Sequence, residues 1–130
     1  MKLSQLIGLT ATFLVAAFLV SCASSNSHRV DASAPMIAML EAAKHSDTTQ
    51  FREAYSLSIR QDSGQQDWNK NLQEAQTTIK KKFGDYHLSD FAFSFEGDDQ
   101  RGKLGISFKG KQQFAIAVVK EDGAWRLDER

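Results

Sequence analysis

Two periods of apolar residues run through the chain and divide it. Trp68, Leu72, Ala75, Ile79 and Phe83 fall at i, i+4, i+7, i+11 and i+15, one continuous stripe on a helix. Lys80, Lys81 and Lys82 follow in its last turn, where positive charge suits the helix dipole, and Gly84 is a natural left-handed stop. From Leu88 onward the period is two. Phe91, Phe93 and Phe95 alternate with Asp90, Ala92 and Ser94, and Leu104, Ile106 and Phe108 with Gly105, Ser107 and Lys109. Phe114, Ile116 and Val118 alternate with Ala115, Ala117 and Val119, and Trp125 and Leu127 make a last short strand. Lys109-Gly110-Lys111 and Asp122-Gly123 read as tight turns, and Glu96 to Arg101 as a longer acidic one.

Two more helices are predicted upstream. Pro35 suits a first helical position, and Met36, Ile37, Leu40 and Ala43 recur at helical spacing up to about Lys44-His45. Asp47 to Gln50 has the form of a capping box, and Phe51, Ala54 and Tyr55 continue a face to about Ser58. Tyr55 to Ile59 also alternates, so a strand there is the competing reading. Asp62-Ser63-Gly64 is a turn signal.

Each predicted strand has one large apolar face and one small or polar face, the mark of an antiparallel sheet covered on one side. The helices are the cover, so the fold class is α+β, with N-terminal helices on one face of a curved four-stranded antiparallel sheet. Its expected core is Phe91, Phe93, Phe95, Ile106, Phe108, Phe114, Ile116, Trp125 and the third-helix stripe. The other face sets Ala92, Ser94, Gly105, Ser107, Ala115 and Ala117 side by side. Solvent faces carry longer charged residues as a rule, so this one is a candidate interface for a second copy or for a partner protein.

The first 22 residues follow neither period. Lys2 opens them, and Leu6 to Val20 is a 15-residue run without charge. That is short of the roughly 20 apolar residues a spanning helix needs, and it fits the centre of an export signal. The run ends in Leu19-Val20-Ser21-Cys22, which resembles the lipobox of bacterial lipoproteins. The resemblance implies diacylglycerol on the Cys22 thiol, cleavage between Ser21 and Cys22, and acylation of the new amine. It divides the chain into a signal peptide (1–21), a lipidated Cys22 with a flexible tether (22–34), and a domain (35–130). The tether residues are small, polar and without period, spanning about 20 Å on average. Ala23 and Ser24 follow the Cys22, with no Asp. In Gram-negative lipoproteins that arrangement implies the outer membrane, and in any case the cell envelope.

The domain also resembles the NTF2-like superfamily, in particular its lipoprotein members of unknown function. Short helices, a turn, and an antiparallel meander ending in Asp-Gly-Ala-Trp-Arg-Leu-Asp-Glu-Arg carry that likeness. Many members insert strands between the second and third helices, where only Tyr55 to Ile59 could supply one here. The family implies a cone between helices and sheet, sometimes catalytic through Asp, His or Tyr, and pairing through a sheet face. The matching candidates are Tyr86, His87 and Asp90, with His87 or Asp90 as a general base. Against them, the sheet positions of such a cone hold Phe and Ile, and Asp85 to Asp90 also reads as a solvated polar turn.

Charge and composition narrow the rest. The 16 basic and 16 acidic residues cancel, which gives no electrostatic case for nucleic acid. One cysteine forms no internal disulfide. No His or Cys spacing matches a zinc site, the Glu96, Asp98 and Asp99 loop lacks the EF-hand pattern, and no Gly-rich phosphate loop occurs. Neither a metal nor a cofactor is expected. The sequence expectation is a non-enzymatic protein held to a membrane through Cys22. Its domain would meet an envelope partner, a second copy or a small ligand, or act as a structural accessory of envelope assembly.

Overall fold

A computed structural model describes residues 31–62 and 67–129. Helix α1 covers 31–45, α2 Thr48–Glu53, α3 Leu57–Asp62 and α4 Trp68–Phe83, followed by a 3-10 turn at Leu88–Asp90. Strands β1 (Phe91–Gly97), β2 (Arg101–Phe108), β3 (Lys111–Glu121) and β4 (Ala124–Leu127) form one antiparallel sheet in chain order. The architecture is α+β, with helices against one face of a four-stranded sheet.

The register puts the predicted apolar set on one face. Phe93 lies opposite Ile106, Phe95 opposite Leu104, Leu104 opposite Ile116, and Val118 opposite Leu127. A bulge shifts the β2–β3 register between Ile106 and Ser107. Leu104, Ile106, Val118 and Leu127 are buried, and Phe93, Phe95, Phe114 and Trp125 pack more shallowly around them. From the helices come Met36 and Leu40 of α1, Phe51 of α2, and Leu72, Ile79 and Phe83 of α4. At one end Phe83, Phe91 and Phe108 cluster with centroids 4.8 to 5.1 Å apart, Phe83 edge-on to Phe91 and the other pairs tilted.

Helix α1 departs from the sequence reading. Residues 31–34, expected to lie outside the domain, are helical, and Ala32 and Ser33 are buried, so the packed domain reaches at least to Asp31. The buried stripe is Ala32, Met36, Leu40 and Ala43, whose first member is too small to stand out as apolar in sequence. The helix ends on Ser46 at φ 54°, with the Asp47 N–H donating to the Ala42 carbonyl at 3.0 Å. Gln76 of α4 donates to the Ala43 carbonyl at 2.8 Å and closes that end.

The predicted second helix is two. Asp47 caps α2 by accepting from the Gln50 N–H at 3.0 Å, while the Gln50 side chain turns to Glu41 and not back to Asp47. The helix breaks before Ser58 because β4 claims its backbone. Leu127 N–H donates to the Ala54 carbonyl and Ser56 N–H to the Leu127 carbonyl, each at 2.8 Å, making an isolated parallel bridge at Tyr55. Helix α3 then restarts with its Leu57 N–H on the Glu121 carboxylate, at 3.0 and 3.2 Å to the two oxygens. The third predicted helix is α4, capped by Asp67 and stopped by Gly84 at φ 64°, as its stripe and flanks require.

Candidate functional sites

The candidate base cluster lies where α4 hands over to β1. Tyr86 is buried, and its hydroxyl donates to the Leu40 carbonyl at 2.6 Å. Burial pushes its pKa up. Asp90 accepts the main-chain N–H of His87 at 2.9 Å, and its own N–H donates to the His87 carbonyl at 3.0 Å to close the 3-10 turn. The carboxylate thus serves the backbone of His87. The His87 side chain is exposed and lines a groove of about 450 Å³ with Lys44, Lys80 and Asp85. The fold brings the three candidates into one turn and gives Tyr86 and Asp90 hydrogen bonds that hold structure.

The acidic β1–β2 turn is also committed to the backbone. Asp98 accepts the N–H groups of Gln100 and Arg101 at 2.8 and 3.0 Å. These bonds hold its carboxyl below the usual range, the Gln100 bond first. Among the described residues no three His, Cys, Asp or Glu side chains gather as metal ligands would.

The six small residues share the face away from the helices. Ala92 lies opposite Ser107, Ser94 opposite Gly105, and Gly105 opposite Ala115, with Lys103 opposite Ala117. Ala92, Ser94 and Ala115 are exposed, and Gly105, Ser107 and Ala117 are half-buried. A Cβ on Gly105 would sit 2.5 Å from the Ser94 hydroxyl, so the Ser94 side chain lies over the Gly105 backbone. Lys103, in the same surface, pairs loosely with Glu129 at 3.9 Å.

Two grooves flank α2 on the helical side. One, of about 680 Å³, runs between α1 and the β3–β4 hairpin, with Asp31 and Glu53 facing Lys120 and Arg126. Arg126 donates to the Glu53 carbonyl there, and Lys120 lies over the Trp125 ring at 5.8 Å. The other, of about 530 Å³, lies between α2, α3 and α4 and holds Phe51, Tyr55 and Trp68. Their ring centroids are 5.4 to 6.1 Å apart, edge to face for Phe51 with each neighbour. Trp68 belongs to the α4 stripe and packs against the core. It is half-buried and lines this groove, and nothing in the local pattern distinguishes the two roles.

Comparison of the chain with known protein families, with curated proteins and with solved structures finds no match. The sites therefore stand on their own geometry. Cys22 and Ser21 lie outside the described residues. Among the described residues no helix is long and apolar enough to cross a membrane.

Proposed function

We propose that this chain is a bacterial lipoprotein whose NTF2-like domain binds a partner protein or a small ligand at the envelope membrane and carries out no chemistry. The observation that carries this reading is the sequence Leu19-Val20-Ser21-Cys22 at the end of 15 uncharged residues. The thiol is the nucleophile for thioether formation, and two acyl chains suffice for stable anchoring, at about 0.8 kcal/mol per buried CH₂. The fold adds a constraint on position. Helix begins at residue 31 or earlier, so at most eight residues separate it from Cys22. Eight residues in any conformation reach at most about 29 Å, which bounds how far the α1 end of the domain can sit from the headgroups. An outer-membrane address follows from Ala23 and Ser24 where the organism has two membranes.

The non-catalytic half of the reading is supported by Asp90 and Tyr86 being occupied with main-chain partners. The alternative is an envelope enzyme with His87 or Asp90 as base, favoured by the groove beside His87. Metabolic labelling with a clickable fatty acid tests the anchor. The mature protein should carry the label and the Cys22→Ser variant should not. Unlabelled mature protein, or a soluble form that keeps residues 1–21, overturns it. In a strain that depends on the protein, His87→Ala should support full growth, and loss of growth with normal protein levels favours the enzyme.

A further inference from the structure

We propose that strand β1 pairs along its open edge with β1 of a second copy, joining two four-stranded sheets into one. The two edges of the sheet differ. At the β4 edge the chain covers itself, since Ala54 and Ser56 take the main-chain bonds of Leu127. At the β1 edge no strand pairs among the described residues. The direction of the ladder bonds identifies the open groups. The Lys109 N–H donates to the Asp90 carbonyl at 2.8 Å, and the Asp98 N–H to the Arg101 carbonyl at 3.0 Å. These bonds flank the β1–β2 ladder, so the even-numbered residues of β1 bond toward β2. Phe91, Phe93, Phe95 and Gly97 therefore aim their N–H and C=O groups outward. The Phe91 N–H donates to the Leu88 carbonyl. That leaves the N–H groups of Phe93, Phe95 and Gly97 and the carbonyls of Phe91, Phe93 and Phe95. Natural edge strands are guarded by lysine, proline or a bulge. β1 reads Phe-Ala-Phe-Ser-Phe-Glu-Gly and has neither residue, and the irregularity in this sheet lies between β2 and β3.

The strand matches itself in one register. An antiparallel pair centred on Ser94 sets Phe93 of one copy opposite Phe95 of the other, and does so twice. It also sets Ala92 opposite Glu96 and Phe91 opposite Gly97. Every open N–H then meets an open carbonyl, and none is left over. A register centred on Phe93 leaves the Gly97 N–H and the Phe95 carbonyl unpaired. A one-residue slip sets Phe against Ala or Ser. Phe93 and Phe95 are half-buried on the helix-facing side, and in the Ser94 register each closes over the other copy's ring. This self-match names the occupant as a second copy in two-fold symmetry. Beyond each end Asp90 of one copy faces Asp98 of the other, a repulsion that salt screens. One strand from each copy makes a small interface, so the pairing is weak and reversible. It is a different surface from the small-residue face, although Ala92 and Ser94 border both.

This inference names a partner for the reading that the domain meets one, and it does not depend on the lipid anchor. A failed fatty-acid label leaves it standing, and failed pairing leaves the anchor reading standing. The test is oxidative crosslinking of the full mature chain in detergent. At the centre of the register the two Ser94 positions form a non-hydrogen-bonded pair, with Cα atoms about 4.5 Å apart and within disulfide reach. Ser94→Cys should give a disulfide dimer about tenfold faster or more than Ala115→Cys, which is also exposed and lies in the same row of the sheet. Ala92→Cys should crosslink when mixed with Glu96→Cys and not alone. The wild-type chain, whose one cysteine is Cys22, gives the background rate. In sedimentation, Ala92→Lys should tighten the dimer by about threefold through two contacts with Glu96, and the exposed change Ser94→Lys should abolish it. Equal rates for Ser94→Cys and Ala115→Cys overturn the proposal, as pairing through the small-residue face would give. So does Ala92→Cys crosslinking alone as fast as Ser94→Cys, or a wild-type chain that sediments as a monomer up to about 1 mM.

Discussion

The Ser56 hydroxyl donates to the Asp128 carboxylate at 2.6 Å, joining positions 72 residues apart. Ser56 is fully buried; its own N–H donates to the Leu127 carbonyl, and the Leu127 N–H donates to the Ala54 carbonyl. A bond to a charged acceptor is worth about twice a neutral one. Ser56→Ala should therefore cost about 2 kcal/mol in urea unfolding. A double-mutant cycle with Asp128→Asn should give a coupling of about 1 kcal/mol or more, and additive effects would show the pair to be idle.

Gly102 is a second fixed point. A Cβ there would meet the Glu96 carbonyl and come within 2.6 Å of the Phe95 ring, which itself packs edge-on against Trp125 at 5.3 Å. Gly102→Ala should push that ring off Trp125 and destabilise the domain by about 2 kcal/mol. Near-ultraviolet circular dichroism should show the altered Trp125 environment, and an unchanged spectrum with wild-type stability would count against this packing.

Alkaline behaviour follows from two tyrosines. Burial raises the pKa of both Tyr55 and Tyr86. A raised folded-state value means the unfolded chain loses these protons first. Stability should then be flat with respect to them below about pH 10 and fall as pH climbs beyond it. Tyr86→Phe should lower stability at neutral pH by about 1 kcal/mol through the lost bond to Leu40, and should blunt the alkaline decline. An alkaline limb identical to wild type would contradict the assignment.

Asp98 acts at the other end of the scale. Its carboxyl titrates below the ordinary value of about 3.9 because it accepts two backbone N–H groups. The ordering it gives the β1–β2 turn is present above that range and is lost as pH falls through the lowered value. The amide resonances of Gln100 and Arg101 should shift together with a midpoint below about 3.9, and Asp98→Ala should abolish the transition.

Ala92 and Ala115 test the small-residue face. The double variant Ala92→Lys with Ala115→Lys changes exposed strand positions, so its effect on stability should stay within about 0.5 kcal/mol. If the face pairs with a second copy or an envelope protein, the solution mass or the crosslinked partner should be lost. Unchanged mass and unchanged crosslinks would show the face to be bare.

Regular periods carried most of the architecture. The helix over Trp68–Phe83 and the four strands were legible because every third or fourth, or every second, residue was large and apolar over several turns or pleats. The start of α1 was not legible, since Ala32 and Ser33 bury well but carry no sequence signal. The break at Tyr55 was hidden for another reason. The groups that end α2 belong to Leu127, and no local window contains them. The site candidates fared the same way. Tyr86, His87 and Asp90 lie within five residues of sequence, but the main-chain partners that Tyr86 and Asp90 take are seen only in the fold. Tyr55, Trp68 and Glu129 share a groove only once the chain is folded.

The bridge between Tyr55 and Leu127 has a consequence for how the molecule is made. Helices α2 and α3 cannot be locked in place until residue 128 has left the ribosome. Before then the early segments remain loosely held. The contact that pins these early helices therefore forms only after the sheet's last strand exists.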